Sequence, residues 1–128
     1  MNPPHALIID DNSKNVRVLG TLLERSNVVH TDIENPTDLS AMLSELGEVD
    51  LVFLDLEMPN TNGYEVLELL KAESQLSAVP VVACTVHVNE IANARDAGFH
   101  SFIAKPLSAE RFPDQLARIL RNEHVWDH

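Results

Sequence analysis

Five short apolar stretches rich in β-branched residues alternate with segments of helical periodicity, and this alternation constrains the fold more than any other feature of the chain. The stretches cover residues 5–10, 28–33, 51–55, 81–85 and 101–104. Short runs of this composition are typical of β-strands. Because these strands are apolar on both faces, we expect a parallel sheet that is covered by helices on both sides. The sequence therefore predicts an α/β fold of five strand–helix repeats, (βα)5.

The segments between the stretches carry apolar residues at three- and four-residue spacing, the pattern of amphipathic helices. Four of these stripes are formed by Val16, Leu19, Leu22 and Leu23; by Leu39, Met42, Leu43 and Leu46; by Val66, Leu67 and Leu70; and by Phe112, Leu116, Ile119 and Leu120. Residues that favour helix starts are Asn12 or Ser13, Asn35-Pro36 and Ser108. The fourth helix, expected over residues 89–97 and closed by Gly98, has the weakest stripe.

Composition excludes several classes of function. Nine basic against 20 acidic residues give a net charge of −11, which opposes binding to nucleic acids and anionic membranes. The longest apolar runs, such as residues 79–83, are too short to cross a membrane, and the first residues lack the pattern of a signal peptide. The lone cysteine, Cys84, excludes an internal disulfide and fits a reducing compartment. We therefore expect a cytoplasmic protein.

The length of 128 residues predicts a single domain over 1–128, with a core at 5–121 and a short tail at 122–128. Because only this tail follows the last helix, we expect no output domain, and output should pass through another protein. The histidines show no metal-ligand spacing, so no zinc site is expected. They are His5, His30, His87, His100, His124 and His128.

Polar residues end the predicted strands. Asp10-Asp11 end the first, Asp55 the third and Thr85 the fourth, and Lys105 follows the fifth. Because the carboxyl ends of parallel strands meet at one edge of the sheet, these side chains should converge. Carboxylates about 4 to 5 Å apart repel by about 3 to 4 kcal/mol per pair at an effective dielectric constant of ~20. Three of them therefore require a cation, and oxygen ligands favour Mg²⁺.

Such a site suits phosphoryl transfer. A divalent cation and Lys105 together would neutralise the oxygens of an incoming phosphoryl group, while a free carboxylate oxygen attacks phosphorus in line. Of the three carboxylates, Asp55 is the best placed as nucleophile.

Several motifs of the chain resemble those of response-regulator receiver domains. They are Ile8-Ile9-Asp10-Asp11-Asn12, Leu54-Asp55-Leu56-Glu57-Met58-Pro59 with Gly63 after it, Thr85, and Lys105-Pro106. The spacing agrees as well, because Asp55 lies 44 positions after Asp11 and 30 before Thr85. The resemblance covers nearly the whole chain, and it implies a doubly wound sheet with strand order 2-1-3-4-5.

The resemblance implies a role for each site residue. Asp55 would be the phosphoacceptor, and Lys105 would contact the phosphoryl group. Mg²⁺ would be held by Asp10, Asp11, Asp55 and the backbone carbonyl of Glu57.

A conformational switch is also implied. Thr85 would move toward a phosphoryl oxygen, and Phe102 would turn inward into the vacated space, although Phe102 is equally compatible with an ordinary core residue. The Lys105–Pro106 peptide bond is expected to be cis.

Three residues near the site are expected to tune the phosphorylated lifetime. Glu57 and His87 lie two residues after Asp55 and Thr85, where receivers border the phosphoryl group; an exposed pair without kinetic effect is equally compatible. Val86 stands where receivers usually have a small residue, and its branched side chain is expected to restrict access to Asp55. Only 20 positions separate Thr85 from Lys105, so the fourth helix should be shortened, which leaves its use as an output face open.

The expected function is that of a phosphorylation switch and not of a turnover enzyme, since only its own phosphotransfer and dephosphorylation would be catalysed. The phosphodonor would be a histidine kinase or a histidine phosphotransfer protein docked on the first helix, and the signal would pass to a downstream partner protein. The chief alternative is a receiver-fold scaffold that binds its partner without phosphorylation. A haloacid-dehalogenase phosphatase would need Asp where Glu57 stands and its motif on the first strand, and a flavodoxin would need a Ser/Thr/Gly-rich phosphate loop.

Overall fold

A computed structural model describes residues 3–59 and 61–127 of the chain. The two ends of the expected 1–128 domain, including His128, lie outside the described residues. The strands are β1 (His5–Ile9), β2 (Val29–Ile33), β3 (Leu51–Asp55), β4 (Glu57–Met58), β5 (Thr61–Asn62), β6 (Val81–Thr85), β7 (Ser101–Ala104) and β8 (Trp126–Asp127). The helices are α1 (Ser13–Arg25), α2 (Leu39–Leu46), α3 (Gly63–Ala72), α4 (Ile91–Ala97) and α5 (Phe112–Leu120).

Six parallel strands form the main sheet, in the order β2-β1-β3-β6-β7-β8. The two-residue strands β4 and β5 form a separate antiparallel hairpin just after β3. With this hairpin set aside, the five longer strands have the predicted order 2-1-3-4-5. The α/β fold class is therefore confirmed, whereas the predicted number of strands in the sheet is too small by one.

The additional strand β8 lies in the segment that was expected to be a tail. Val125, just before it, is fully buried; its amide donates to Ser101 Oγ at 2.9 Å, and its carbonyl accepts from the Phe102 amide at 2.7 Å. The Asp127 carboxylate accepts a hydrogen bond of 2.6 Å from Gln115 Nε2 on α5. Two residues are too few to show the alternation that identifies a strand, so no sequence pattern predicts β8.

Helices cover both faces of the sheet, as predicted. One core lies between the sheet and α1 and α5, and it includes Leu23, Phe53 and Phe112. The other lies under α2, α3 and α4, and it includes Leu54, Leu67 and Phe102. Burial of both faces explains why the central strands are apolar at every position.

The predicted helix starts agree with the structure for the first two helices and less well for the last two. The Asn12 side chain accepts hydrogen bonds from two amides of the first turn of α1, as expected of an N-cap. Asn35 caps a 3-10 turn, Pro36–Asp38, that precedes α2. The predicted start at Ser108 is early, because Ser108 Oγ accepts from the Arg111 amide in a turn before α5. The fourth helix is also shorter than predicted, since a 3-10 turn, Val88–Glu90, replaces its beginning.

No helix among the described residues is both long and apolar enough to span a membrane. Cys84 is a free, buried thiol in β6. Burial raises its pKa to about 12.

Candidate functional site

The carboxyl edge of the sheet brings together the predicted site residues. Asp10 directly follows β1, Asp55 and Thr85 are the last residues of β3 and β6, and Lys105 follows β7. Asp10 is 6% exposed and Asp55 4% exposed, so both carboxyl groups are largely removed from solvent. Parallel strands in register therefore place four polar side chains at one point, as the sequence indicated.

Lys105 is the cation that compensates these buried carboxylates. Its Nζ lies 3.2 Å from Asp55 Oδ1 and 3.3 Å from Asp10 Oδ2. Burial lowers the pKa of Lys105, but the charges of Asp10 and Asp55 outweigh it, and the pKa is raised overall. Burial also raises the pKa of the Asp10 carboxyl group, against the lowering effects of the Asn12 amide and Lys105. One ammonium faces two buried carboxylates here, so their negative charge is only partly balanced.

The third carboxylate, that of Asp11, is exposed beside this pair. One oxygen each from Asp10, Asp11 and Asp55 lie within 4.8 Å of one another. Three hard oxygen donors, one of them open to solvent, fit Mg²⁺, which binds through a few carboxylates and keeps several waters. These residues are the predicted metal ligands, and the role of the Glu57 carbonyl as a further ligand stays a prediction.

The side chain of Glu57 contacts the end of β6. Its Oε1 accepts hydrogen bonds from the Thr85 hydroxyl and, at 2.9 Å, from the Val86 amide. Glu57 Oε2 lies 3.9 Å from His87 Nε2, so the predicted pair is close in space. The sequence did not indicate the contacts to Thr85 and Val86. The pairing of β3 with β6 puts Asp55 opposite Cys84, so the residues that follow the two strands lie close together. A prediction of this pairing could have indicated the contacts of Glu57.

The remaining predicted site residues lie around this centre. The Lys105–Pro106 peptide bond is cis, as expected. Val86 is 53% exposed at the rim of the site. Phe102 is fully buried in β7, opposite Trp126 of β8. The ring thus occupies an inward position, and its rotation stays a prediction.

Two recesses adjoin the site. The polar one, of about 460 Å³, opens to solvent and is lined by three acidic residues and Lys105, whereas Asp10 lines the other recess. It is lined by Asp11, Asn12, Asn15, Asp55, Glu57, Pro59, Val86, Lys105 and Pro106. The other, of about 140 Å³, has mainly apolar walls and lies beside α1, where Val18 and Leu19 meet Pro106 and Leu107. Asp55 borders both recesses, so its carboxylate is accessible in spite of its burial.

Comparison with known proteins agrees with this geometry. A family model described as the response regulator receiver domain matches residues 6–117. The polar-differentiation response regulator DivK of Brucella anthropi is 29% identical over 121 residues, which are 92% of this chain and 97% of that protein. DivK of Brucella ovis is 29% identical over 117 residues, covering 89% and 94%.

Solved structures support the same fold. The chemotaxis protein CheY4 of Vibrio cholerae aligns with a TM-score of 0.81 at 18% identity, over 91% of this chain and 98% of that chain. A two-component response regulator from Clostridium difficile aligns with a TM-score of 0.79 at 23% identity, over 92% and 96%.

Proposed function

Because the chain belongs to the response regulator receiver domain family, we propose that it is a phosphorylation switch in which Asp55 accepts the phosphoryl group. The observation that carries this proposal is the position of Lys105 Nζ between Asp55 and Asp10, next to the exposed carboxylate of Asp11. A cluster of carboxylates whose charge Lys105 balances only in part, at an accessible recess, is suited to gather cationic charge around an incoming phosphoryl group.

The two oxygens of Asp55 have different surroundings. Oδ1 lies 3.2 Å from Lys105 Nζ and accepts from the Glu57 amide at 3.1 Å. Both hydrogen bonds that the Asp55 carboxylate accepts from residues 3–59 and 61–127 go to Oδ1, which leaves Oδ2 free to attack phosphorus. The contacts at Oδ1 fix the orientation of the carboxylate during the attack.

The chain's own groups would stabilise the transferred phosphoryl group. Lys105 would turn its ammonium from the carboxylates toward a phosphoryl oxygen, and the hydroxyl of Thr85 would donate to another. A magnesium ion held by Asp10, Asp11, Asp55 and the Glu57 carbonyl would supply further neutralising charge. The protein would then act on itself only, without turnover of a free substrate.

We propose a histidine kinase or a histidine phosphotransfer protein as the phosphodonor, acting in the cytoplasm. The apolar recess between α1 and Pro106 supports a docking site there, because it borders Asp55 and the neighbouring Val18 is 52% exposed. Output would pass to a downstream partner protein, and the net charge of −11 argues against direct contact with nucleic acid.

The test is intact-mass spectrometry after incubation with Mg²⁺ and acetyl phosphate, with Asp55→Asn as the control. We expect one added phosphoryl group in the native protein and none in the variant or without Mg²⁺. An unchanged mass, together with no binding of beryllofluoride as a phosphoryl mimic, would favour the phosphorylation-independent scaffold instead.

A further inference from the structure

The Glu57 carboxylate occupies hydrogen-bond donors that an anion on Asp55 would need. Oε1 accepts from both the Thr85 hydroxyl and the Val86 amide. The Thr85 side chain is fully buried, so in this conformation its hydroxyl proton has no access to solvent. Glu57 is therefore the group that satisfies this donor.

The Val86 amide faces the recess that contains Asp55, and the Thr85 hydroxyl reaches the same Glu57 oxygen from the end of β6. Val86, Glu57 and Asp55 all line the polar recess, and the Val86 amide points to a carboxylate within it. An amide and a hydroxyl directed at one anionic oxygen form a small anion-binding site. In the resting protein this site holds the anion of its own Glu57 side chain.

We propose that Glu57 is an internal competitor of the phosphoryl group: its carboxylate must leave Thr85 and Val86 before a phosphoryl group on Asp55 can bind them. This inference rests on the proposed function and adds a residue that sets the balance between the resting and phosphorylated states. Departure of Glu57 is sterically feasible, since its side chain is 32% exposed and can turn into solvent.

Competition reduces the apparent affinity of the site for a phosphoryl group. Only those protein molecules in which Glu57 has left the Thr85 hydroxyl and the Val86 amide can donate both hydrogen bonds to the phosphoryl group. Loss of the competing carboxylate should therefore strengthen binding of a phosphoryl mimic. We expect about a tenfold effect, the scale of one charge-assisted hydrogen bond.

The experiment measures beryllofluoride affinity by calorimetry at constant Mg²⁺ for the native protein, Glu57→Ala and Glu57→Gln. Alanine removes both charge and acceptor, whereas glutamine keeps an acceptor oxygen without the charge. Glu34→Ala is the control for net charge, because Glu34 is exposed beyond β2 at the same edge of the sheet. We expect about tenfold tighter binding for Glu57→Ala, a smaller gain for Glu57→Gln and no change for Glu34→Ala.

A second comparison isolates Thr85. If the competition is for its hydroxyl, Glu57→Ala should give a smaller gain in a Thr85→Ala background than in the native one. Hydrogen exchange supplies a readout without any phosphoryl mimic: the Val86 amide should lose protection in Glu57→Ala and largely keep it in Glu57→Gln.

Equal affinities of Glu57→Ala and the native protein would overturn the proposal, and so would equal gains from alanine and glutamine, which would indicate charge repulsion alone. In either case the native protein still binds the mimic, so the proposed function stands. Absence of mimic binding in the native protein and in every variant would instead reject the proposed function, and the competition with it.

Discussion

The ammonium group of Lys105 lies 3.2 Å from Oδ1 of Asp55, which joins the end of β7 to the end of β3 across the intervening strand β6. The same ammonium lies 3.3 Å from Oδ2 of Asp10, the residue that directly follows β1. One cation thus connects the ends of three strands. This arrangement stabilises the resting fold and also brings a positive charge to the proposed phosphoacceptor.

Replacement of this cation should destabilise the protein in a pH-dependent manner. The raised pKa of Lys105 means that its stabilisation is present below its unfolded-state pKa and is lost as the pH rises through the folded-state pKa. At neutral pH, Lys105→Met leaves two buried carboxylates unpaired, and we expect a loss of about 3 kcal/mol in urea unfolding.

The loss should shrink as the pH falls and Asp10 becomes protonated, since the pKa of this carboxyl group is already raised by burial. Lys14→Met, an exposed lysine on α1, is the control and should change little. A loss of equal size at every pH would contradict the electrostatic explanation.

His30, which lies in the edge strand β2, predicts a second pH dependence. Its ring contacts Asp32 at 2.6 Å and Glu24 at 3.0 Å. Burial lowers the pKa of His30, but these two carboxylates outweigh it, and the pKa is raised overall. Its stabilisation should therefore be complete below the unfolded-state pKa and decline as the pH rises through the folded-state pKa.

The measurement is urea unfolding of the native protein and of His30→Gln at pH values from below the unfolded-state pKa of His30 to above its folded-state pKa. The stability difference between them should decrease with rising pH. A difference that grows with pH would mean that His30 stabilises the fold in its neutral form.

The strand β8 should contribute to stability through Val125. This side chain is fully buried between the sheet and α5, and Val125→Ala should cost about 2 kcal/mol in the free energy of unfolding. Val29→Ala removes the same two methyl groups from an edge strand where the side chain is 51% exposed, and it should cost much less. Equal effects of the two changes would show that β8 is not docked in solution.

Cys84 should be unreactive in the native protein. Its thiol is buried and its pKa is raised to about 12, so very little thiolate is present at neutral pH. Modification by a colourless disulfide reagent that releases a coloured thiol should be slow until urea unfolds the chain. Fast modification under native conditions would indicate that β6 opens locally.

The site was largely predictable because strand ends determine it. The apolar stretches of β1, β3, β6 and β7 end at polar residues, and a parallel sheet places such ends together whatever the details of packing. The same reasoning identified Asp10, Asp55 and Lys105, which the structure brings within hydrogen-bond distance.

Other features depend on contacts that no local pattern encodes. The strand β8 forms because Val125 fits the core and its backbone completes the edge of β7, and neither condition can be read from two residues. The contact of Glu57 with Thr85 depends on the direction of one side chain after β3. Sequence spacing placed Glu57 near the site but left open whether it tunes the phosphorylated lifetime or forms an exposed pair with His87 that has no kinetic effect.

The central claim is that the phosphoryl group resides on Asp55, and chemical trapping tests it most directly. Borohydride reduces an aspartyl phosphate to homoserine, so peptide mass spectrometry after treatment with acetyl phosphate and Mg²⁺ can locate the modified residue. We predict homoserine at position 55 in the native protein, none without the phosphodonor, and no conversion elsewhere in Asp55→Asn. Conversion at Asp10 or Asp11 in place of Asp55, or at no aspartate, would contradict this account.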